Sequence, residues 1–207
     1  MTIKNFIFDM GGVLIEWAPK EFAIRSGITK KEDIDTLLKL SFESPTWSEM
    51  DKGTIDAYEA HKMLIDKLPD NLKEKGSYAI NNWTKLTKPI DGMLDLIIDL
   101  KTKGYKIYLL SNASSDHPDY WTKFPYAPYF DGLYVSYEHL KAKPDSEIYY
   151  DFLNVFKLNK EECIYIDDMQ RNIDAGKKLG ITSILFEGDT NKLENQIDSI
   201  LKRQPTV

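Results

Sequence analysis

The stretch Phe6-Ile7-Phe8-Asp9-Met10-Gly11-Gly12-Val13-Leu14 constrains this chain more than any other: three apolar residues end in an acid, and two glycines follow at once. A short apolar run of this kind reads as a strand buried in a parallel sheet. An Asp at its carboxyl end stands at the mouth of the sheet, where open α/β folds bind ligands. Gly11 and Gly12 let the backbone turn sharply and approach a ligand closely. A strand followed by a plain turn would show the same residues, since Asp is common in turns. The stretch therefore gains meaning only from the rest of the chain.

After Pro89 helix and strand alternate. Ile90, Met93, Leu94, Ile97 and Ile98 trace one helical face, with Pro89 suited to the start of that helix and Gly104 to its C-terminal cap. Tyr105 to Leu110 reads as a strand ending in Ser111-Asn112, and Leu133 to Val135 as a second, short one. Ile148 to Phe156 reads as helix, Cys163 to Ile166 as a strand ending in Asp167-Asp168, and Ile173 to Leu179 as helix closed by Gly180. Ser183 to Phe186 is a further strand, Lys192 to Lys202 a last helix, and Gln204 to Val207 a frayed tail. This alternation predicts a Rossmann-like, doubly wound parallel sheet covered on both faces.

Between Trp17 and Leu86 the character differs. Ile34, Leu37, Leu38 and Phe42 form a helical stripe, and Ile55, Tyr58, Met63 and Leu64 a looser one, while Pro45 and Pro69 divide the segment into short helices. The expected organisation is a Rossmann-like core of residues 1–16 and 87–207 with a small helical cap, residues 17–86, inserted after the first strand. The insertion must leave from the carboxyl edge of the sheet and overhang it. Its aromatics Trp17, Trp47, Tyr58, Tyr78 and Trp83 are expected to serve packing; Tyr120, Trp121 and Tyr126 further on either line the entrance or pack, packing being the expected role.

A length of 207 residues suits one large domain or a core with a modest insertion. The net charge of −6 offers no basic field for nucleic acid or an anionic membrane, so any phosphate chemistry needs positive charge placed locally, by a Lys or a metal. Cys163 is the only cysteine, which excludes an intrachain disulfide and suits a small core residue. Asp9 interrupts the only apolar run near the N-terminus, and no run reaches membrane-spanning length. A cytoplasmic protein without nucleic-acid or membrane partners, monomeric or homodimeric, is expected.

Polar groups thus stand at the ends of three expected strands: Asp9, then Ser111 and Asn112, then Asp167 and Asp168, with Lys143 in a loop before a helix. Three carboxylates on one cleft repel one another and need raised pKa values or a cation. Oxygen ligands without accompanying His or Cys point to Mg²⁺ rather than zinc. His61, His117 and His139 show no ligand spacing.

The order of these pieces resembles the haloacid dehalogenase-like hydrolase superfamily, whose four motif regions match Phe8 to Leu14, Leu110-Ser111-Asn112, Lys143-Pro144-Asp145 with Ile148-Tyr149, and Tyr165 to Ile173 continuing to Ala175-Gly176 and Gly180. Trp47 to Ile55, with Asp51-Lys52-Gly53, looks like the helical caps of the phosphatase branch. The resemblance implies that Asp9 is the nucleophile, forming an aspartyl-phosphate. It implies Mg²⁺ held by Asp9, the Gly11 carbonyl and Asp168, with Asp167 close by and Asn172 in support. It implies phosphate contacts from Ser111, Asn112, Lys143 and the backbone of Gly11 and Gly12, with Lys143 pairing also with Asp9.

One departure stands out. The phosphatase pattern has a second Asp two residues after the nucleophile, as general acid and base, and here that position is Gly11. Such help is worth roughly 10²–10⁴ in rate. A leaving group that departs easily needs it least, which favours a sugar 1-phosphate as substrate. Glu16 is the nearest acid in sequence. Two other readings keep the same residues: a catalytically impaired regulatory protein that binds phosphate and metal, and a 2-haloacid dehalogenase, whose first motif usually carries an aromatic residue where Gly11 stands.

Overall fold

The computed structural model describes residues 2–203, so the expected frayed tail lies outside the described residues. The run that ends in Asp9 becomes β1 (Asn5–Phe8), buried along its whole length. It is the middle of a five-stranded parallel sheet ordered β3-β2-β1-β4-β5, whose other strands are β2 (Lys106–Ser111), β3 (Gly132–Val135), β4 (Cys163–Asp167) and β5 (Thr182–Leu185).

Side chains alternate across β1 and fix the two layers. Phe6 and Phe8 share a core with Ile107, Leu109, Ile164 and Ile166, covered by α6 (Met93–Thr102) and α11 (Thr190–Lys202) through Met93, Ile97, Leu193 and Ile197. Ile7 faces the other way with Tyr108, Leu110 and Tyr165, under α9 (Ser146–Phe156) and α10 (Gln170–Lys178) through Ile148, Tyr149, Phe152 and Ile173. The short α7 (His117–Trp121) and α8 (Ser136–His139) sit in the loops after β2 and β3. Phe8 pairs with both Leu109 and Ile166, so Asp9 lies level with Leu110 and Asp167 at the same edge of the sheet.

Five helices occupy the chain between β1 and α6: α1 (Pro19–Arg25), α2 (Lys31–Leu40), α3 (Pro45–Lys52), α4 (Ala57–Asp66) and α5 (Asp70–Leu86). Pro45 and Pro69 start helices: Pro45 opens α3 beneath the Ser44 cap, and Pro69 is the N-cap of α5. Trp17 centres an aromatic cluster, with ring centroids 5.2 Å from Trp83, 5.8 Å from Trp47 and 5.8 Å from Phe22.

Pro89 does not start a helix. α6 begins at Met93, with Gly92 as its N-cap in the left-handed region at φ 77°. Pro89 instead bridges antiparallel to Ile15, where the chain enters and leaves the helical segment. The ladder bonds there run from Glu16 N to Lys88 O (2.8 Å) and from Ile90 N to Leu14 O (2.9 Å). Pro89 sits at the pair that exchanges no hydrogen bonds, so its missing N–H costs nothing. Gly104, at φ 87°, follows the end of α6 as expected. Of the expected stripe, Leu64 is buried and Ile55 packs against the core, but Tyr58 is 82% exposed and Met63 38%; Ala57 and Ala60 complete the buried face of α4. Small alanines carry little hydrophobic signal. No helix among the described residues is long and apolar enough to cross a membrane.

Candidate active site

Asp9 follows β1 directly and is 8% exposed. Its Oδ1 accepts from Met10 N at 2.6 Å and lies 2.8 Å from Lys143 Nζ. Lys143 reaches in from the loop before α9 and also donates to Asp167 Oδ2 at 2.8 Å and to the Leu110 carbonyl at 2.9 Å. The expected convergence of Asp9, Lys143 and Asp167 is therefore present in the geometry.

Asp167, at the end of β4, is fully enclosed. It accepts from Lys143, from Asn172 Nδ2 at 2.9 and 3.0 Å, from Met169 N at 2.8 Å and from the Tyr165 hydroxyl. Those bonds commit both its oxygens to holding other groups in place. Asp168 is only partly buried, and Gly12 lies hard against it. A Cβ at Gly12 would stand 2.2 Å from Asp168 Oδ2, and Gly12 adopts φ 77°, so this position has room for no side chain.

Asn112 clasps the loop that carries Lys143: its Nδ2 donates to Lys143 O at 3.0 Å, and its Oδ1 accepts from Lys143 N at 2.8 Å. Its amide is spent on positioning that loop. Ser111 is 1% exposed, and its hydroxyl makes one long contact, 3.5 Å to Asn112 O. The Lys143–Pro144 peptide bond is cis.

Charge explains the electrostatics. Burial pushes the Asp9 carboxyl up to about 8, with Lys143 opposing and Asp167 and Asp168 adding to the rise. Burial and the Asp167 charge push Asp168 up to about 6. Asp167 is itself buried, yet Lys143 overrides that burial and holds it below the usual carboxylate range. Burial alone would lower Lys143, but Asp167 and Asp9 hold it charged.

One oxygen each from Asp9, Asp167 and Asp168 lie within 4.8 Å of one another. With one ammonium against three carboxylates, two negative charges are left uncompensated when all are ionised. Asn172 Oδ1, beside them, is buried without a hydrogen-bond partner. A hard divalent cation that takes oxygen ligands fits this donor set and this deficit.

The cluster opens into a cavity of about 540 Å³, within the usual range for small-molecule sites. Asp9, Gly11, Asn112, Lys143, Asp168 and Asn172 line it from the sheet side, and Phe42, Glu43, Trp47, Ser48, Asp51 and Trp83 from the inserted helices. Trp17, Ser114, Tyr120 and Arg171 also line it. Trp17, Trp47, Trp83 and Tyr120 thus do more than the packing expected of them, whereas Tyr58 and Tyr78 are exposed. The Tyr120 hydroxyl is buried without a partner. Glu16 pairs with Arg25 at 3.0 Å. Asp51 is a cavity residue that sequence reasoning noted only as part of Asp-Lys-Gly. Its signal was that motif's glycine, Gly53, which ends α3 in the left-handed region.

A parallel doubly wound sheet with a Lys-bridged pair of aspartates at its central strand ends defines an α/β enzyme site. The family model for haloacid dehalogenase-like hydrolases matches residues 6–186, and the chain belongs to that family. It is 30% identical to a D-ribitol-5-phosphate phosphatase of Bacteroides thetaiotaomicron over 187 residues, covering 86% of this chain and 89% of that one. It is 27% identical to a sesquiterpene phosphatase of Aspergillus oryzae over 184 residues, covering 88% and 89%. Among solved structures, it superposes with a TM-score of 0.73 on a haloacid dehalogenase-family enzyme of Bacteroides thetaiotaomicron in complex with magnesium and inorganic phosphate, at 27% identity over 92% of this chain and 98% of that one.

Proposed function

We propose that the chain is a Mg²⁺-dependent phosphatase of small phosphate monoesters, working through an aspartyl-phosphate on Asp9. The observation that carries this reading is the Asp9 carboxylate, set at the cavity floor with Lys143 2.8 Å away. The two similar phosphatases and the magnesium–phosphate complex of a structural relative support it.

Asp9 attacks phosphorus, so one hard hydrolysis becomes two easier steps. Lys143 stands beside both the nucleophile and the incoming phosphate, and its charge favours the crowded anionic transition state. Asp167 and Asn112 keep Lys143 in place. Asp9, Asp168 and the Gly11 carbonyl are the groups that would hold Mg²⁺, with Asn172 in support. When bound, the ion offsets repulsion between the carboxylates and the phosphate. Residues 17–86 act as a cap: their aromatic rings close the cavity over the leaving group and limit water entry.

The substrate we favour is a sugar phosphate, with the 1-phosphate preferred. Glu43, Ser48 and Ser114 offer hydrogen bonds to a hydroxylated leaving group between the aromatic walls. Gly11 brings no acid, so an easily expelled anomeric oxygen has the advantage.

The test is phosphate release from p-nitrophenyl phosphate, glucose 1-phosphate and glucose 6-phosphate, with and without Mg²⁺, by the wild type and Asp9→Asn. Release that needs Mg²⁺ and vanishes in Asp9→Asn is expected. Release that survives Asp9→Asn, or none from any ester, overturns the reading. Equal kcat/KM for the two glucose phosphates removes the 1-phosphate preference.

A further inference from the structure

The proton that Gly11 is unable to supply has another source on the opposite wall of the cavity. We propose that Asp51, at the end of α3, is the general acid and base of the reaction. The inference rests on the phosphatase reading above.

Three observations point to it. Asp51 and Asp9 line the same cavity from opposite sides, one from the inserted helices and one from the sheet. Asp51 is also held there from the core side of the molecule. The Ser136 hydroxyl donates to the Asp51 carbonyl, and the same hydroxyl accepts from Ala113 N at 2.9 Å, next to Asn112. Gly53, two residues on, seats on α8: a Cβ there would lie 2.4 Å from the Tyr137 carbonyl oxygen. Asp51 is thus fastened to the loops that carry the site, although it belongs to the inserted segment.

Its surroundings suit an acid that is protonated before reaction. Burial raises the carboxyl well above its usual range, Asp116 raises it further, the Trp47 side chain opposes as a hydrogen-bond partner, and Asp9 adds a smaller rise. Tyr120 also faces it electrostatically, with its unpartnered hydroxyl in the same wall. The other nearby acids are less suited. Glu16 is paired with Arg25, and Glu43 is exposed at the rim. Position 11 itself is open in steric terms, since a Cβ there would meet only Trp17, at 3.5 Å or more. What it lacks is a functional group.

The steps balance without any further reactant. As Asp9 bonds to phosphorus, the bond from phosphorus to the leaving oxygen breaks, and the Asp51 proton passes to that oxygen. The alcohol departs and Asp51 is left as a carboxylate. A water then attacks the aspartyl-phosphate, Asp51 takes its proton, the bond to Asp9 breaks and phosphate leaves.

General-acid catalysis matters in proportion to the basicity of the leaving oxygen, which separates this role from a structural one. For a reaction through a covalent intermediate, kcat/KM reports only steps up to loss of the alcohol. Asp51→Asn is expected to lower kcat/KM on glucose 6-phosphate by about 100-fold, and on p-nitrophenyl phosphate by less than about threefold. Glucose 1-phosphate should fall in between, so the preference for the 1-phosphate steepens in the variant. Equal losses on all three esters, or no loss on any, overturn the assignment while leaving the phosphatase reading intact. A wild type inert to every ester overturns both. A urea-unfolding midpoint for Asp51→Asn matching the wild type shows that the variant is folded.

Discussion

Lys143 Nζ stands 2.8 Å from Asp9 Oδ1 inside the protein, and the same ammonium is 2.8 Å from Asp167 Oδ2. One buried cation therefore ties together the ends of the two central strands and the loop before α9. Its side chain is 1% exposed, so solvent screens little of this pairing.

Removing that cation should be costly for the fold as well as for activity. Lys143→Met keeps the chain's bulk and deletes the charge, leaving Asp167, which Lys143 holds ionised, as an uncompensated buried carboxylate. Breaking a buried pair in this way costs about 3–5 kcal/mol. Urea unfolding at pH 7 should show a loss of that order, together with abolished phosphate release. A variant as stable as the wild type would mean that water already screens the cluster.

Gly12 and Asp168 make a second prediction. Gly12→Ala would place a methyl 2.2 Å from Asp168 Oδ2 in a backbone region that L residues disfavour by about 1–2 kcal/mol. Asp168 must turn away. Mg²⁺ titration by calorimetry should show affinity about tenfold weaker or worse, the scale of losses when a group that orients a ligand is disturbed. Gly11→Ala meets only ordinary contacts with Trp17 and should change affinity far less. Similar losses in the two variants would remove the argument that Gly12 exists to make room for Asp168.

The sheet was legible because its strands are buried on both faces and read as apolar runs: Phe6 to Phe8, Ile107 to Leu110 and Cys163 to Ile166 need no partner to be recognised. Their ends fall where a polar residue first appears, which is why Asp9, Ser111 and Asp167 could be placed on one edge. Pro89 misled because its local preference for a helix start is real, while its pairing with Ile15 depends on residues 74 positions away in sequence. On α4 the expected Leu64 is buried, while Ala57 and Ala60 were missed because alanines carry little hydrophobic signal beside Tyr58 and Met63. Asp51 shows little in the sequence beyond Gly53, which marks the end of α3 and not a role for the carboxylate. A carboxylate near the end of a short polar helix looks like a solvated one until Gly53 is seen resting on Tyr137 and Ser136 on the Asp51 carbonyl.

His117 sets an acid limit on stability. It is 2% exposed, stacked 5.4 Å from Trp121, and its Nε2 has no hydrogen-bond partner. Burial pushes its pKa down to about 4 from the ordinary 6.5. The unfolded chain therefore binds a proton more readily than the folded one between those values, and stability falls as pH drops through that window. Above pH 6.5 the contribution is complete, and by pH 5 about 2 kcal/mol of it is lost. His117→Phe keeps an aromatic ring against Trp121 and cannot take up a proton. Urea unfolding of both proteins at pH 7 and pH 5 should show the wild type losing about 2 kcal/mol more than the variant over that interval. Parallel losses in the two proteins would place the acid sensitivity elsewhere, with the carboxylates around Lys143 as the next groups to examine.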